Sequence, residues 1–277
     1  MNELEFNYNL PITLLGGQDF NWEPVDDEYF ASTQEAIIRI KPIQTGILWQ
    51  TYPQKDNYQL IKKYFALDEA YETIIAEIRR DLHVTKAIQE FGNIKILRQP
   101  FEQTVLNFIS STNRNLKLIR QSRKLLSKNL GKDIKINFHR FYLYPATEEI
   151  AHAPIETLRQ AKLGYRAEYI KRSANSLLQA QINETIKSMD EEQARGNLLQ
   201  LEGVGPKVAD CILTYSLGFS NVTPLDIWGQ RFLIKLYNLS SRLNYEQMRK
   251  WYKNYFNGYA AYAGQFLFEY VRKHNIK

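Results

Sequence analysis

Apolar residues in the first third of the chain come in short runs. Ile12-Thr13-Leu14-Leu15, Ala36-Ile37-Ile38-Arg39-Ile40 and Gly46-Ile47-Leu48-Trp49-Gln50-Thr51-Tyr52 are β-branched or aromatic and mostly bounded by Gly, Pro or polar residues. Runs of this kind predict strands of an antiparallel sheet. Over 57–92 the spacing becomes helical, with Leu60, Ile61, Tyr64 and Phe65 followed by Ile74, Ile75, Ile78 and Leu82. From Pro100 onward the chain reads as almost entirely helical, and Pro100 and Pro154 each stand where a helix could begin. The expected fold is α+β and mainly α: an N-terminal antiparallel β-sheet domain over residues 1–97 and a helical body over 98–277.

One segment of that body has its own chemistry. Leu201-Glu202-Gly203-Val204-Gly205-Pro206-Lys207-Val208-Ala209-Asp210-Cys211 reads as a tight hairpin opening a helix, since glycines permit the turn and Pro206 suits a first helical position. Backbone N–H groups at such a helix start attract anions. Lys207 projects from the start of the helix, and Asp226 follows in Thr223-Pro224-Leu225-Asp226 at the head of the next apolar run. An amine, a carboxylate and a phosphate grip so close together point to chemistry on a nucleic-acid backbone or sugar.

Composition narrows the classes. With 277 residues and 44% hydrophobic content, the chain can bury a substantial core. No apolar run reaches membrane-spanning length, and the acidic start Met1-Asn2-Glu3 does not read as a secretory signal, so an intracellular place (cytoplasm, nucleoid or nucleus) is expected. The single cysteine, Cys211, excludes an internal disulfide framework and a cysteine-held iron–sulfur cluster, and the four histidines lack zinc-ligand spacing. No cofactor is expected. The net charge of +6 favours an anionic partner. Eight Lys and Arg between Arg114 and Lys135, opposed by Asp133 alone, read either as a solvated helix face or as a phosphate-facing stripe; Leu116, Ile119, Leu125 and Leu126 are placed to turn inward, and Gly131 to end the helix. The absence of heptads accords with a monomer.

These segments resemble the helix–hairpin–helix DNA glycosylases, specifically the 8-oxoguanine DNA glycosylase/AP lyase branch. Gly203 to Ile212 is similar to that branch's hairpin and catalytic-lysine segment, and Thr223 to Asp226 to its catalytic-aspartate segment. Leu163-Gly164-Tyr165-Arg166-Ala167-Glu168-Tyr169, Phe108-Ile109-Ser110-Ser111-Thr112-Asn113-Arg114-Asn115 and Gly16-Gly17-Gln18-Asp19-Phe20-Asn21-Trp22 resemble three further signatures, in the family's order. The resemblance runs from about Leu14 to Phe268 and implies a bifunctional enzyme on duplex DNA containing oxidised guanine, which flips the damaged nucleotide into a pocket.

The resemblance also implies roles. Lys207 would attack C1′, expel the base and leave a Schiff base, with β-elimination cutting the strand. An amine attacks only when deprotonated, and partial burial and a helix N-terminus both disfavour its charge. Asp226 would stabilise positive charge on the sugar, although an Asp there also suits plain helix capping. Gly17 would read the oxidised base through its carbonyl, and Cys211 and Phe268 would sandwich it, with Gln265 nearby. Gly203, Val204 and Gly205 would hold phosphate, and their neighbourhood a monovalent cation on carbonyls, with no metal held by side chains. Asn113, Tyr165 and Arg166 would fill the gap and meet the stranded cytosine. The pattern is broken at four places: Gly264 stands where the branch places a glutamine, Leu118 where it has an arginine, Trp228 where it has a histidine and Glu202 where it has a proline. Two other readings remain: a monofunctional alkylbase glycosylase of the same superfamily, with an electron-rich aromatic pocket, and a non-catalytic DNA-binding module that keeps the hairpin.

Overall fold

A computed structural model describes residues 1–179 and 182–276. Five strands, β1 (Asn2–Glu5), β2 (Trp22–Val25), β3 (Glu28–Ser32), β4 (Ile37–Ile43) and β5 (Gly46–Tyr52), form one antiparallel sheet in the order β1-β5-β4-β3-β2. Strand β5 alternates as its sequence requires: Ile47, Trp49 and Thr51 are buried, and Trp49 lies opposite Ile40. Ile12–Leu15, expected as a strand, belongs instead to helix α1 (Leu10–Leu15). Asn9 caps that helix by accepting from the N–H of Ile12 at 3.2 Å, Pro11 sits in the first turn, and Leu10 and Leu14 bury one face at i,i+4 spacing. Cap and proline outweigh the β-branched run.

Helices α2 (Tyr58–Tyr64), α3 (Tyr71–Ile78) and α4 (Leu82–Phe91) occupy the stretch of helical spacing. Then come α5 (Phe101–Ser111), starting after Pro100, and α6 (Leu116–Leu130), which Gly131 closes by donating its N–H to Ser127. The body is not purely helical: Asp133–Ile136 (β6) and His139–Tyr142 (β7) form a hairpin whose turn carries Asn137 at φ 53°. Phe141 of β7 stacks on Phe30 of the sheet, 4.4 Å between ring centroids, so the hairpin covers the sheet's second face. The remaining helices are α7 (Thr147–His152), α8 (Ile155–Gln160), α9 (Arg166–Gln179), α10 (Ile182–Thr185), α11 (Glu191–Leu198), α12 (Pro206–Ile212), α13 (Ile227–Tyr237), α14 (Tyr245–Phe256) and α15 (Ala260–Lys273).

Three larger apolar cores result, besides the small cluster of Phe30, Ile37, Ile136, Phe141 and Leu143 under the hairpin. One joins α5 to α9, α11 and α12. A second joins α3 and α4 to α13, α14 and α15, so these N-terminal helices pack on the C-terminal ones. The third lies between the sheet, α1 and α2. No helix among the described residues is long and apolar enough to cross a membrane.

Candidate active site

A cavity of about 370 Å³ opens between the first core and the helices of the second. Its walls come from the Gly16–Gly17 loop after α1, the ends of α5 and α6, α12 with the turn after it, the start of α13, and α15. Lys207 is the second residue of α12 and lies half-buried in the wall, its Nζ 5.4 Å from the Phe108 ring centroid. Cys211, one turn on, is fully buried and hydrogen-bonded to Lys207. Burial pushes its thiol up to about 11, with the lysine's charge acting in the opposite direction. Asp226 caps α13 and also lines the cavity. Its Oδ1 accepts from the N–H groups of Trp228 and Gly229, both at 2.9 Å, so capping fixes the carboxylate while Oδ2 takes no partner among the described residues. The capping and cavity readings of Asp226 are therefore compatible.

The opposite wall holds the remaining base-pocket candidates. Gly17 lines the cavity at φ 102°, a conformation that favours glycine, and a Cβ there would stand 3.9 Å from the Phe268 ring. Arginines from two helices pin its loop: Arg120 donates to the Leu15 carbonyl at 3.0 Å and Arg272 to that of Gly16 at 3.3 Å. Gln18's carbonyl accepts from Gln99. Gly17's own carbonyl accepts no hydrogen bond among the described residues. Phe268 lines the cavity under the Arg272 guanidinium, 5.3 Å away. Gln265 is buried in the wall and accepts from the Tyr215 hydroxyl at 3.1 Å.

The hairpin residues lie elsewhere. Gly203, Val204 and Gly205 line a shallow depression with Ile109, Thr112, Tyr165, Arg166 and Tyr169. Gly203 adopts φ 80°, and a Cβ there would meet Ile109 and Tyr169 at 3.0 Å. Tyr165 is 56% exposed, with the Arg166 guanidinium 4.3 Å from its ring. Arg166 is buried and held by the Thr112 carbonyl, which its Nε meets at 2.8 Å, so it is not the solvated arginine its position at a helix start allows. Asn113 lines neither hollow; it is exposed at φ 52°, between Thr112 of the depression and Arg114 of the cavity. The basic stretch divides: Lys117, Lys124 and Lys128 face solvent, while Arg123 is buried and Arg114 turns back to Ser122 and the Leu118 carbonyl.

Sequence reading missed several lining residues. Tyr215 sits in a π-helical turn, Leu213–Leu217, that no spacing rule announces, and stacks on Phe108 at 5.8 Å and 17°. Arg272, two turns beyond Gln265 on α15, also lines the cavity, and Glu269, one turn beyond, lies buried beneath it. Phe108 lies within a segment quoted above, on the apolar helix α5, but no role was read for it there. No group of three or more His, Cys, Asp or Glu among the described residues could hold a metal.

The model of the 8-oxoguanine DNA glycosylase N-terminal domain matches residues 2–104. A Clostridium acetobutylicum 8-oxoguanine glycosylase/lyase, solved with double-stranded DNA carrying cytosine opposite 8-oxoguanine, superposes with a TM-score of 0.90 at 25% identity, over 97% of this chain and 94% of that one. The chain belongs to the 8-oxoguanine DNA glycosylase branch of the helix–hairpin–helix glycosylases. The Saccharomyces cerevisiae N-glycosylase/DNA lyase is 30% identical over 198 residues, 67% of this chain and 53% of its own length. A probable N-glycosylase/DNA lyase of Methanothermobacter thermautotrophicus is 25% identical over 88% of this chain and 82% of its own. The chain thus spans about half the length of the yeast relative.

Two of the four departures from the family pattern, Gly264 and Trp228, line the cavity. Leu118, in the first turn of α6, is 40% exposed and offers no polar group. Glu202 is exposed, pairs with Arg172 at 3.1 Å, and leaves the hairpin intact.

Proposed function

We propose that the chain is a bifunctional DNA glycosylase and AP lyase that removes 8-oxoguanine from duplex DNA. The observation that carries this reading is one cavity lined by the Lys207 amine, the Asp226 carboxylate, Cys211, Phe268 and the unbonded carbonyl of Gly17. With a nucleotide extruded into it, neutral Lys207 attacks C1′ as the bond to the base breaks and the base leaves with the electron pair. Asp226 stabilises the positive charge that develops on the sugar. Opening of the sugar ring gives a Schiff base on Nζ; loss of a C2′ proton then expels the 3′-phosphate oxygen and cuts the strand. The Gly17 carbonyl accepts the N7–H that oxidised guanine carries and guanine lacks.

The hairpin N–H groups hold backbone phosphate. A monovalent cation fits beside them on the carbonyls of Gly203 and Val204, because Glu202's accepts from Ser173 and Gly205's from Ala209. Tyr165 fills the gap left by the extruded nucleotide. The aromatic lining also suits a cationic alkylated base, an alternative that release of a methylated base would reveal.

The test is incision of duplexes with 8-oxoguanine opposite each of the four bases, with and without alkali. Alkali separates base removal from strand cutting. The reading requires incision without alkali, and the apolar Leu118 gives a preference for cytosine under about tenfold, because a buried pairing edge lacks one donor. Cutting only after alkali supports a monofunctional enzyme, and release of a methylated base in its place supports the alkylbase reading.

A further inference from the structure

The polar groups of the cavity wall are almost all committed to the protein. Gln18 donates to the carbonyls of Thr13 and Lys95 and accepts from Leu97. Ser111 donates to Phe108, Asn115 caps α6 on the N–H of Leu118, and Tyr215 and Gln265 hold each other. Thr223 differs. It lines the cavity and is 6% exposed, yet its hydroxyl makes no hydrogen bond among the described residues. With no protein partner, that hydroxyl is free to pair with whatever occupies the cavity.

Its neighbour explains how it is kept there. A Cβ placed on Gly264 of α15 would lie 1.9 Å from Thr223 Oγ1 and 2.8 Å from its Cβ. The two positions compete for one volume, and in this chain the loop before α13 fills it, not α15. We propose that Thr223 is a specificity-determining residue whose hydroxyl hydrogen-bonds the extruded base, and that Gly264 is glycine to leave that hydroxyl in place. The inference rests on the glycosylase reading above and deepens it. A hydroxyl both donates and accepts by rotating, so it pairs with a carbonyl edge or an amine edge of an oxidised purine.

The test separates base reading from catalysis. Thr223→Val keeps the shape and removes the hydroxyl; Thr223→Ser keeps the hydroxyl; Gly264→Ala displaces it. Each is assayed for 8-oxoguanine release from duplex DNA and for cleavage of a preformed abasic site, which needs Lys207 but no base. The expected result is a ~10- to 100-fold fall in kcat/KM for base release with Thr223→Val and Gly264→Ala. Thr223→Ser stays within ~3-fold, and all three cut the abasic site within about twofold of wild type. Wild-type base release by Thr223→Val overturns the inference alone, as does an equal loss of both activities. A wild-type protein that cuts abasic sites but releases no 8-oxoguanine overturns the substrate reading and this inference together.

Discussion

Glu269 lies beneath the base pocket, 3% exposed, between the Arg272 guanidinium at 2.6 Å and the Gln265 amide at 3.5 Å. Burial raises its carboxyl to about 7, against the pull of Arg272. A raised carboxylate contributes stability that is full below the unfolded value of 4.5 and is lost as pH rises through about 7. Glu269→Gln, which stays neutral, is expected to flatten the loss in unfolding free energy between pH 5 and 8 by roughly 2–3 kcal/mol, read by urea denaturation across that range. An unchanged slope would place the pH dependence elsewhere. The legibility of the site followed the same local logic. Lys207, Asp226, Cys211, Gly17, Phe268 and Gln265 all line one cavity; Lys207, Cys211 and Asp226 sit beside a turn or cap written in adjacent residues, whereas Gln265 and Phe268, inside helix α15, were legible only through the resemblance. Tyr215 and Thr223 were invisible: one depends on a π turn and the other on a steric exchange with a residue on a different helix.

Helix α12 carries both Lys207 and Cys211, and one buried carboxylate anchors it. Asp210 is fully buried and meets Arg195 at 2.9 Å, Arg249 at 3.3 Å and the Tyr245 hydroxyl at 2.7 Å, tying α12 to α11 and α14. Burial pushes its carboxyl up, and the two arginines oppose the shift. Asp210→Ala removes the one buried carboxylate that Arg195 and Arg249 share, leaving them Glu246, Glu191 and Glu192 near the surface, and is expected to cost ~3–5 kcal/mol in denaturant unfolding. A loss below about 1 kcal/mol would mean that the pairs the arginines already make with Glu191, Glu192 and Glu246 suffice to hold them. Elements with period-2 alternation or long helical spacing, such as β5 and α6, were readable. Helix α1 was read as a strand because Ile12 and Thr13 are β-branched, whereas Asn9 and Pro11 decide its form. The β6–β7 hairpin escaped because its strands are four residues each and carry charged residues, with only Asn137 marking the turn.

At the scale of the molecule, the cavity exists because the first core, which supplies Phe20, Phe108 and Cys211, faces helix α15 of the second across it. Its walls come from residues far apart in sequence, Gly17 from the N-terminal loop and Phe268 from the last helix, so no single segment could have revealed the pocket's depth. What the arrangement must achieve is joint access of one amine and one carboxylate to a single deoxyribose. Borohydride trapping on an 8-oxoguanine duplex, followed by peptide mapping of the adduct, tests this most directly. The account predicts a covalent complex with the DNA on Lys207, lost in Lys207→Gln and formed at least ~100-fold more slowly in Asp226→Asn. An adduct on another lysine, or trapping that survives Lys207→Gln unchanged, would contradict it.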